Sequence, residues 1–434
     1  MPNVEHVAVK NGDVVLMVGT MKGAFLLRSD AKRKRWSVGG PLSAGSPVYA
    51  MALDGRQGKN RLWWATQSFR WGTFLSSSDD FGKTSTQPET YSVKFPEDSG
   101  LALKNIWQIC IGPDDQPEKM YCGVEPACLF ESNDGGQSWT PVEGMLKHPH
   151  REKWMPGGGG LCLHTIVPHP ANRDSMLIAI STAGCYGTDD GGKTWEPRNQ
   201  GVRAVFLPNK YPEFGQCVHK ISRAQSQPER LYLQNHWGMY RSDDGAKSWT
   251  DVANGVPSDF GFAVVVHPHD PDTAYVIPVE SDEYRCTPEG KLRVYRTRNA
   301  GASWEPLTKG LPQENALETI LRDGMATDTL DPAGIYFGTR SGKVYGSNDD
   351  GRSWQLIQEG LPPVVCVKAA VITNGAVPER KRSAKSSARS SAKSASRVSA
   401  KAGRKSARPA KTAARSKAKS SGRAKASKAK RRGR

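Results

Sequence analysis

The sequence predicts an all-β fold: a seven-bladed β-propeller over residues 1–375, closed by its own last strand, with a disordered basic tail over 376–434. Three observations lead there. An octapeptide of fixed pattern returns seven times at intervals of 49 to 56 residues, the length of one four-stranded blade. The composition, with 44 Gly, 29 Pro, 12 Trp and 37% hydrophobic residues, suits many short strands joined by tight turns. The positive charge is confined to one end: residues 380–434 hold 22 Lys and Arg and no Asp or Glu, leaving 39 basic against 43 acidic residues before them.

The octapeptide has the form Ser/Thr-x-Asp-x-Gly-x-Ser/Thr-Trp. Three copies are complete: Ser132 to Trp139 around Asp134, Thr188 to Trp195 around Asp190, and Ser347 to Trp354 around Asp349. Three more depart at one position. Ser78 to Ser85 keeps Asp80 and Gly82 but ends in Ser, Ser242 to Trp249 keeps Asp244 but has Ala246 for Gly, and Thr297 to Trp304 has Asn299 for Asp. A seventh, Ser29 to Trp36, keeps only its ends and their spacing. The pattern describes a β-hairpin turn in which the carboxylate accepts backbone N–H bonds, Gly takes a positive φ and Trp wedges into the core. The aspartates are therefore structural, and neither a catalytic series nor calcium ligands.

These copies resemble the Asp-box (bacterial neuraminidase) repeats of sialidases, sortilin-type receptors and the photosystem II stability and assembly factor group. The resemblance covers about 370 residues and implies that each box sits between the third and fourth strands of a blade, on the face opposite the ligand site. Ahead of each box lies an apolar strand pair, such as Ile106–Ile111 with Lys119–Gly123, or His164–Val167 with Met176–Ser181. The chain enters on a second strand, Val14–Gly19, and Val364–Ile372 is left as a lone strand that would complete blade one and remove the exposed sheet edges.

The tail is Lys, Arg, Ser and Ala with almost nothing larger and apolar, so it cannot bury enough surface to offset chain entropy. It resembles linker-histone-like basic tails. Clusters such as Arg380-Lys381-Arg382, Arg404-Lys405 and Arg431-Arg432 would bind DNA, RNA or other polyanions by counterion release, with little sequence preference. A solubilising extension and an attraction to anionic membranes stay open. Met1–Leu16 has no signal-peptide core, no run of 18 apolar residues occurs, and eight Cys fall at irregular positions; a monomer in the cytoplasm, with nucleoid association as an open alternative, is the expectation.

Aligning the inner strands puts Trp107, His164, His219, Phe262 and Glu318, with Tyr49, at one ring of positions. That ring is polar and aromatic where an apolar strand is expected. Loops on the same face add Arg70 with Trp71, Glu125, His236-Trp237, the acidic run Glu280–Glu283, and Arg340, while Arg322 and Lys368 lie on inner strands. Trp107, His164, His219, His236, Trp237, Glu318, Arg322, Arg340, Arg70 and Glu125 are accordingly the candidate ligand residues: aromatic faces suit sugar rings and Arg forks suit carboxylates. Cys162/His164 and Cys217/His219, with His236, match no established zinc spacing, so no metal and no cofactor are expected. Gly157–Gly160 lacks a following Gly-Lys-Ser/Thr and is no phosphate loop. His148–Trp154 reads as a long loop, a lid over the channel mouth.

The sialidase resemblance implies an Arg-Ile-Pro, a Tyr nucleophile paired with Glu, and an Asp acid/base. No Arg-Ile-Pro occurs; Arg28 lies in the corresponding stretch between Leu27 and Ser29. Catalytic residues are therefore unassigned, although Glu125, Glu280, Asp282, Glu283, Glu318 and Asp323 supply carboxylates for a glycosidase pair. Two classes follow. The favoured one is a non-catalytic module binding a protein, peptide or glycan on the top face; the alternative is a sialidase-like glycoside hydrolase acting on an acidic or neutral sugar.

Overall fold

The computed structural model describes residues 5–68, 70–86 and 93–373. Everything assigned to the tail, from Arg380 to Arg432, lies outside the described residues, as does the 375/376 boundary. The described chain forms seven antiparallel sheets, six of four strands and one of three, all within one compact unit. The innermost strands, blade one to blade seven, are Val364–Val371, Ala50–Asp54, Asn105–Ile111, Leu163–Pro168, Val218–Arg223, Gly261–Val266 and Met325–Thr327. Blade two has three strands among the described residues, and the Thr86 N–H donates to the Ser77 carbonyl where a fourth would begin.

The last strand closes the ring as the sequence predicts. Val364–Val371 pairs antiparallel with Val14–Thr20, the order in that sheet being last strand, first, second, third. Each blade is apolar on both faces because each face meets a neighbour, and the core is accordingly seven seams. One seam packs Trp63 and Leu75 of blade two against Ile106, Met120 and Phe130 of blade three. The closing seam joins Val14, Leu16 and Leu27 to Tyr336, Val344, Val364 and Val367. Among the described residues no helix is long and apolar enough to cross a membrane.

In six blades the octapeptide joins the third and fourth strands, and in blade two it follows the third. Around Asp190, Thr188 Oγ1 donates to Oδ1 at 2.8 Å, and the Thr194 N–H and hydroxyl donate at 3.0 and 2.6 Å, while the Trp195 indole donates to the Gly192 carbonyl at 3.0 Å. The bond from the backbone four residues on recurs at Asp80, Asp134, Asp244, Asn299 and Asp349. Each Trp enters the seam with the preceding blade, as Trp139, Trp195 and Trp354 do. Blade two lacks the Trp; Phe81, at φ 56°, packs into that seam instead. In the degenerate first copy, Arg33 stands at the Gly position with φ 56° and reaches into blade seven, where its guanidinium meets Asp328 at 3.1 Å, both buried. This turn thus ties blade one to blade seven across the closing seam.

These bonds predict a pH dependence. Hydrogen bonds from Thr84 hold Asp80, and from Thr194 hold Asp190, down at about 2. A carboxylate lowered by folding adds stability that is complete above its ordinary value near 4 and is lost as pH falls through the folded value. The thermal midpoint should hold above about pH 4 and fall from there toward about pH 2. A double variant, Asp80→Asn with Asp190→Asn, should fall less steeply over that window in a calorimetric series; an unchanged slope would remove these turns as the cause.

Candidate functional site

The ring of residues picked out on the inner strands has a structural origin. In blades three, four and five the pairing of inner with second strand skips one residue, at Trp107, His164 and His219. In blade six it skips Phe262 and Ala263, and in blade one Val365. A β-bulge re-aims the extra side chain, and the repeat sets such residues around the mouth of the channel on the face opposite the octapeptides. Tyr49 precedes the strand of blade two and packs on Trp107 with centroids 4.8 Å apart.

Two adjoining hollows open at this mouth, of about 660 and 390 Å³, sharing Gly159, Phe262, Arg285 and Arg322. The first is walled by Trp154, Phe206, Phe214 and Trp237 and reached by Cys217, His219, His236 and Asp282; the second by Tyr49, Trp107 and Arg340. A hollow of about 750 Å³ elsewhere lies between the blade-four octapeptide and the segment 141–149, away from these groups.

Three guanidinium groups converge on the mouth. Arg285 lies over the Phe262 ring at 5.4 Å and Arg322 over Trp107 at 5.5 Å, while Arg340 lines the second hollow with Arg322. The ion pairs nearby are Lys220–Asp323, Lys368–Asp323, Lys343–Glu318 and His236–Asp282; among the described residues none includes Arg285, Arg322 or Arg340. Phe262 and Trp107 hold two of these cations; Arg285 Nε donates to the Asp282 carbonyl and Arg322 Nη1 meets Cys162 Sγ at 3.6 Å, and each fork has further N–H donors to offer a ligand.

Beneath them the channel is plugged. Asp323 of blade seven accepts from Lys220 of blade five and Lys368 of blade one, each at 2.7 Å and on the same oxygen. Burial alone would raise this carboxyl, but the two ammonium groups outweigh it and hold Asp323 well below the usual carboxylate range.

Several expected ligand residues sit elsewhere. Glu318 precedes the inner strand of blade seven, which begins only at Met325; it is buried, takes bonds from Ser341 and Lys343, and leaves the ring position to Arg322. His164 is fully buried, with Nδ1 on Thr165 Oγ1 at 2.9 Å and Nε2 on the Val218 carbonyl at 3.0 Å, so it ties blade four to blade five. Arg70 is exposed on a turn held by Ser68 and lines neither hollow. Glu125 accepts the Trp107 indole at 3.1 Å and braces that ring. The segment 148–154 is no free lid: His148 and Trp154 are buried and stacked 5.8 Å apart. Trp107, His219, His236, Trp237, Arg322 and Arg340 do line the mouth.

The sequence reading missed Arg285 and Lys220. Arg285 follows the acidic run that drew attention to its loop, and Lys220 is a charge in the middle of an apolar inner strand; that second signal was available. The Cys-x-His spacing matches no zinc motif, yet the structure brings Cys217, His219 and His236 together, their ligand atoms within 4.8 Å of one another. His219 Nδ1 meets the Gly261 carbonyl at 2.6 Å and His236 Nε2 meets Asp282 at 3.1 Å. Burial, and then Arg322, keep His219 well below its ordinary value and neutral; burial also lowers His236, against the pull of Asp282.

No protein-family model matches the chain. A probable oligoxyloglucan-reducing end-specific xyloglucanase of Neosartorya fischeri is 23% identical over 287 residues, 58% of this chain and 33% of the relative. The corresponding enzyme of Emericella nidulans is 19% identical over 48% of this chain. The chain spans about a third of the length of these curated relatives. Among solved structures, an ancestral GH74 enzyme is 16% identical, with 72% of this chain and 38% of that one covered at a TM-score of 0.48. YCF48 bound to D1 peptide is 15% identical, with 81% and 87% covered at a TM-score of 0.46.

Proposed function

We propose that the propeller is a binding module whose channel mouth takes a ligand bearing a carboxylate, a peptide or a sugar acid, between aromatic walls. The observation that carries this reading is the trio Arg285, Arg322 and Arg340, held on or beside aromatic rings without a carboxylate partner among the described residues. A guanidinium fork binds carboxylate in two parallel bonds, and a pre-placed one loses little freedom on binding. Arg322→Ala should weaken binding of acidic peptides or sugar acids by about ten- to a hundredfold, the worth of one charge-assisted hydrogen bond. Calorimetric titration of the full chain measures this; unchanged affinity in both Arg322→Ala and Arg340→Ala contradicts the reading.

The second reading, a hydrolase of xyloglucan oligosaccharides, draws on the fungal relatives. Against it, the carboxylates lining the two hollows are Asp282 and Asp323, and Asp323 is locked between two lysines. A glycosidase needs two free carboxyl groups across one bond, and a neutral polysaccharide offers the three guanidinium groups no carboxylate to pair with. Release of reducing sugar from such oligosaccharides, abolished in Asp282→Ala, would reverse the order.

A further inference from the structure

We propose that Cys217, His219 and His236 form a zinc site in the wall of the larger hollow, with the fourth coordination position facing the cavity. The three ligands come from two places that the fold fastens together. Cys217 and His219 flank Val218 at the start of the blade-five inner strand, where the bulge turns the His219 ring. His236 lies in the next loop of the same blade, and its N–H donates to the Cys217 carbonyl at 3.0 Å. Asn235 fixes that loop through bonds from Nδ2 to the Arg203 and Trp237 carbonyls.

Geometry favours a tetrahedral ion. Bonds of about 2.3 Å to sulfur and about 2.0–2.1 Å to nitrogen place sulfur and nitrogen about 3.5–3.6 Å apart. Cys217 Sγ and His219 Nε2 are 3.6 Å apart. His236 has to close in by about 1 Å to reach such an edge from the 4.8 Å limit of the cluster, and it is a half-buried loop residue. Each histidine has its other nitrogen engaged: His219 Nδ1 by the Gly261 carbonyl, His236 Nε2 by Asp282. Such acceptors fix the tautomer and the ring plane of metal-binding histidines, and here they leave His219 Nε2 and His236 Nδ1 as free lone pairs. A Cys217 thiolate and the Asp282 carboxylate offset the divalent cation itself, so Arg322 and Arg285 stay as net positive charge for an anion that enters the same hollow. Three protein ligands with one open position is the arrangement of zinc sites that bind a water or a ligand atom. All three side chains line the 660 Å³ hollow. The ion would thus present that position to whatever enters.

The full chain, treated with chelator, loaded with zinc and dialysed, should retain about one zinc per chain. Cys217→Ser and His236→Ala should each lower retention by at least about tenfold, while their circular dichroism and thermal midpoint without metal match the parent, because both residues are half-buried at the cavity wall. With cobalt(II) as a probe, the parent should show a thiolate-to-metal charge-transfer band that Cys217→Ser lacks. Failure of the parent to retain zinc overturns the assignment. So does retention by both variants equal to the parent, which would place the ion on other cysteines.

Discussion

A chain ended at residue 363 is expected not to reach a folded, monomeric state, whereas one ended at residue 378 should melt like the full chain. The strand 364–371 is the inner edge of blade one, paired along Val14–Thr20. It buries Val364, Val365, Cys366 and Val367, with Ile372 behind them, each at most 3% exposed. At roughly 1.5–3 kcal/mol for each buried aliphatic side chain, the loss approaches the about 5–15 kcal/mol by which a domain is stable at all. It also bares the whole edge of Val14–Thr20, a strand without a charge and fully buried in the closed ring, which is a template for pairing with another chain. Size-exclusion chromatography and thermal melting read both effects. A monomer ended at residue 363 that melts at the parent temperature would show that the seams hold the ring without this closure.

The second large effect belongs to Asp323. Its carboxylate holds Lys368 of the closing strand and Lys220 across the channel, and its backbone carbonyl accepts the Val367 N–H at 2.7 Å. The residue therefore latches blade seven to blade one at the axis. Asp323→Ala leaves two half-buried ammonium groups unpaired, a loss bounded above by the about 3–5 kcal/mol of a broken buried pair. A triple change, Asp323→Leu with Lys220→Met and Lys368→Met, removes all three charges and should recover most of that loss, since buried ion pairs add little over well-packed apolar groups. Chemical denaturation of the parent, the single and the triple variants tests both statements. A single variant within about 1 kcal/mol of the parent would mean that water or ions already screen the lysines.

The blade count and the closing strand were legible because the octapeptide repeats a local turn, and local turns depend only on residues within eight positions of each other. The site was less legible. Its residues sit at β-bulges, and a bulge shifts register by one residue, which moves a side chain to the other face. His164 and His219 occupy equivalent bulges, yet one is sealed between strands and the other opens on the cavity. Blade seven misled for a related reason: its inner strand is only three residues long, so Glu318-Thr-Ile, which looks like the start of a strand, is a loop and the equivalent position falls at Arg322. The Lys220–Asp323–Lys368 plug joins three different blades, over separations of 103 and 45 residues, and a pattern repeated blade by blade carries no sign of it.

The proposed recognition of a carboxylate at the channel mouth is tested by calorimetric titration of the full chain with two short aromatic peptides that differ only in ending as a carboxylate or a carboxamide. The single negative charge limits any attraction to the basic tail. The carboxylate should bind at least about tenfold more tightly, and the difference should vanish when Arg322→Ala and Arg340→Ala are combined. Equal affinity for the two peptides, or a preference that survives the double change, would contradict the account.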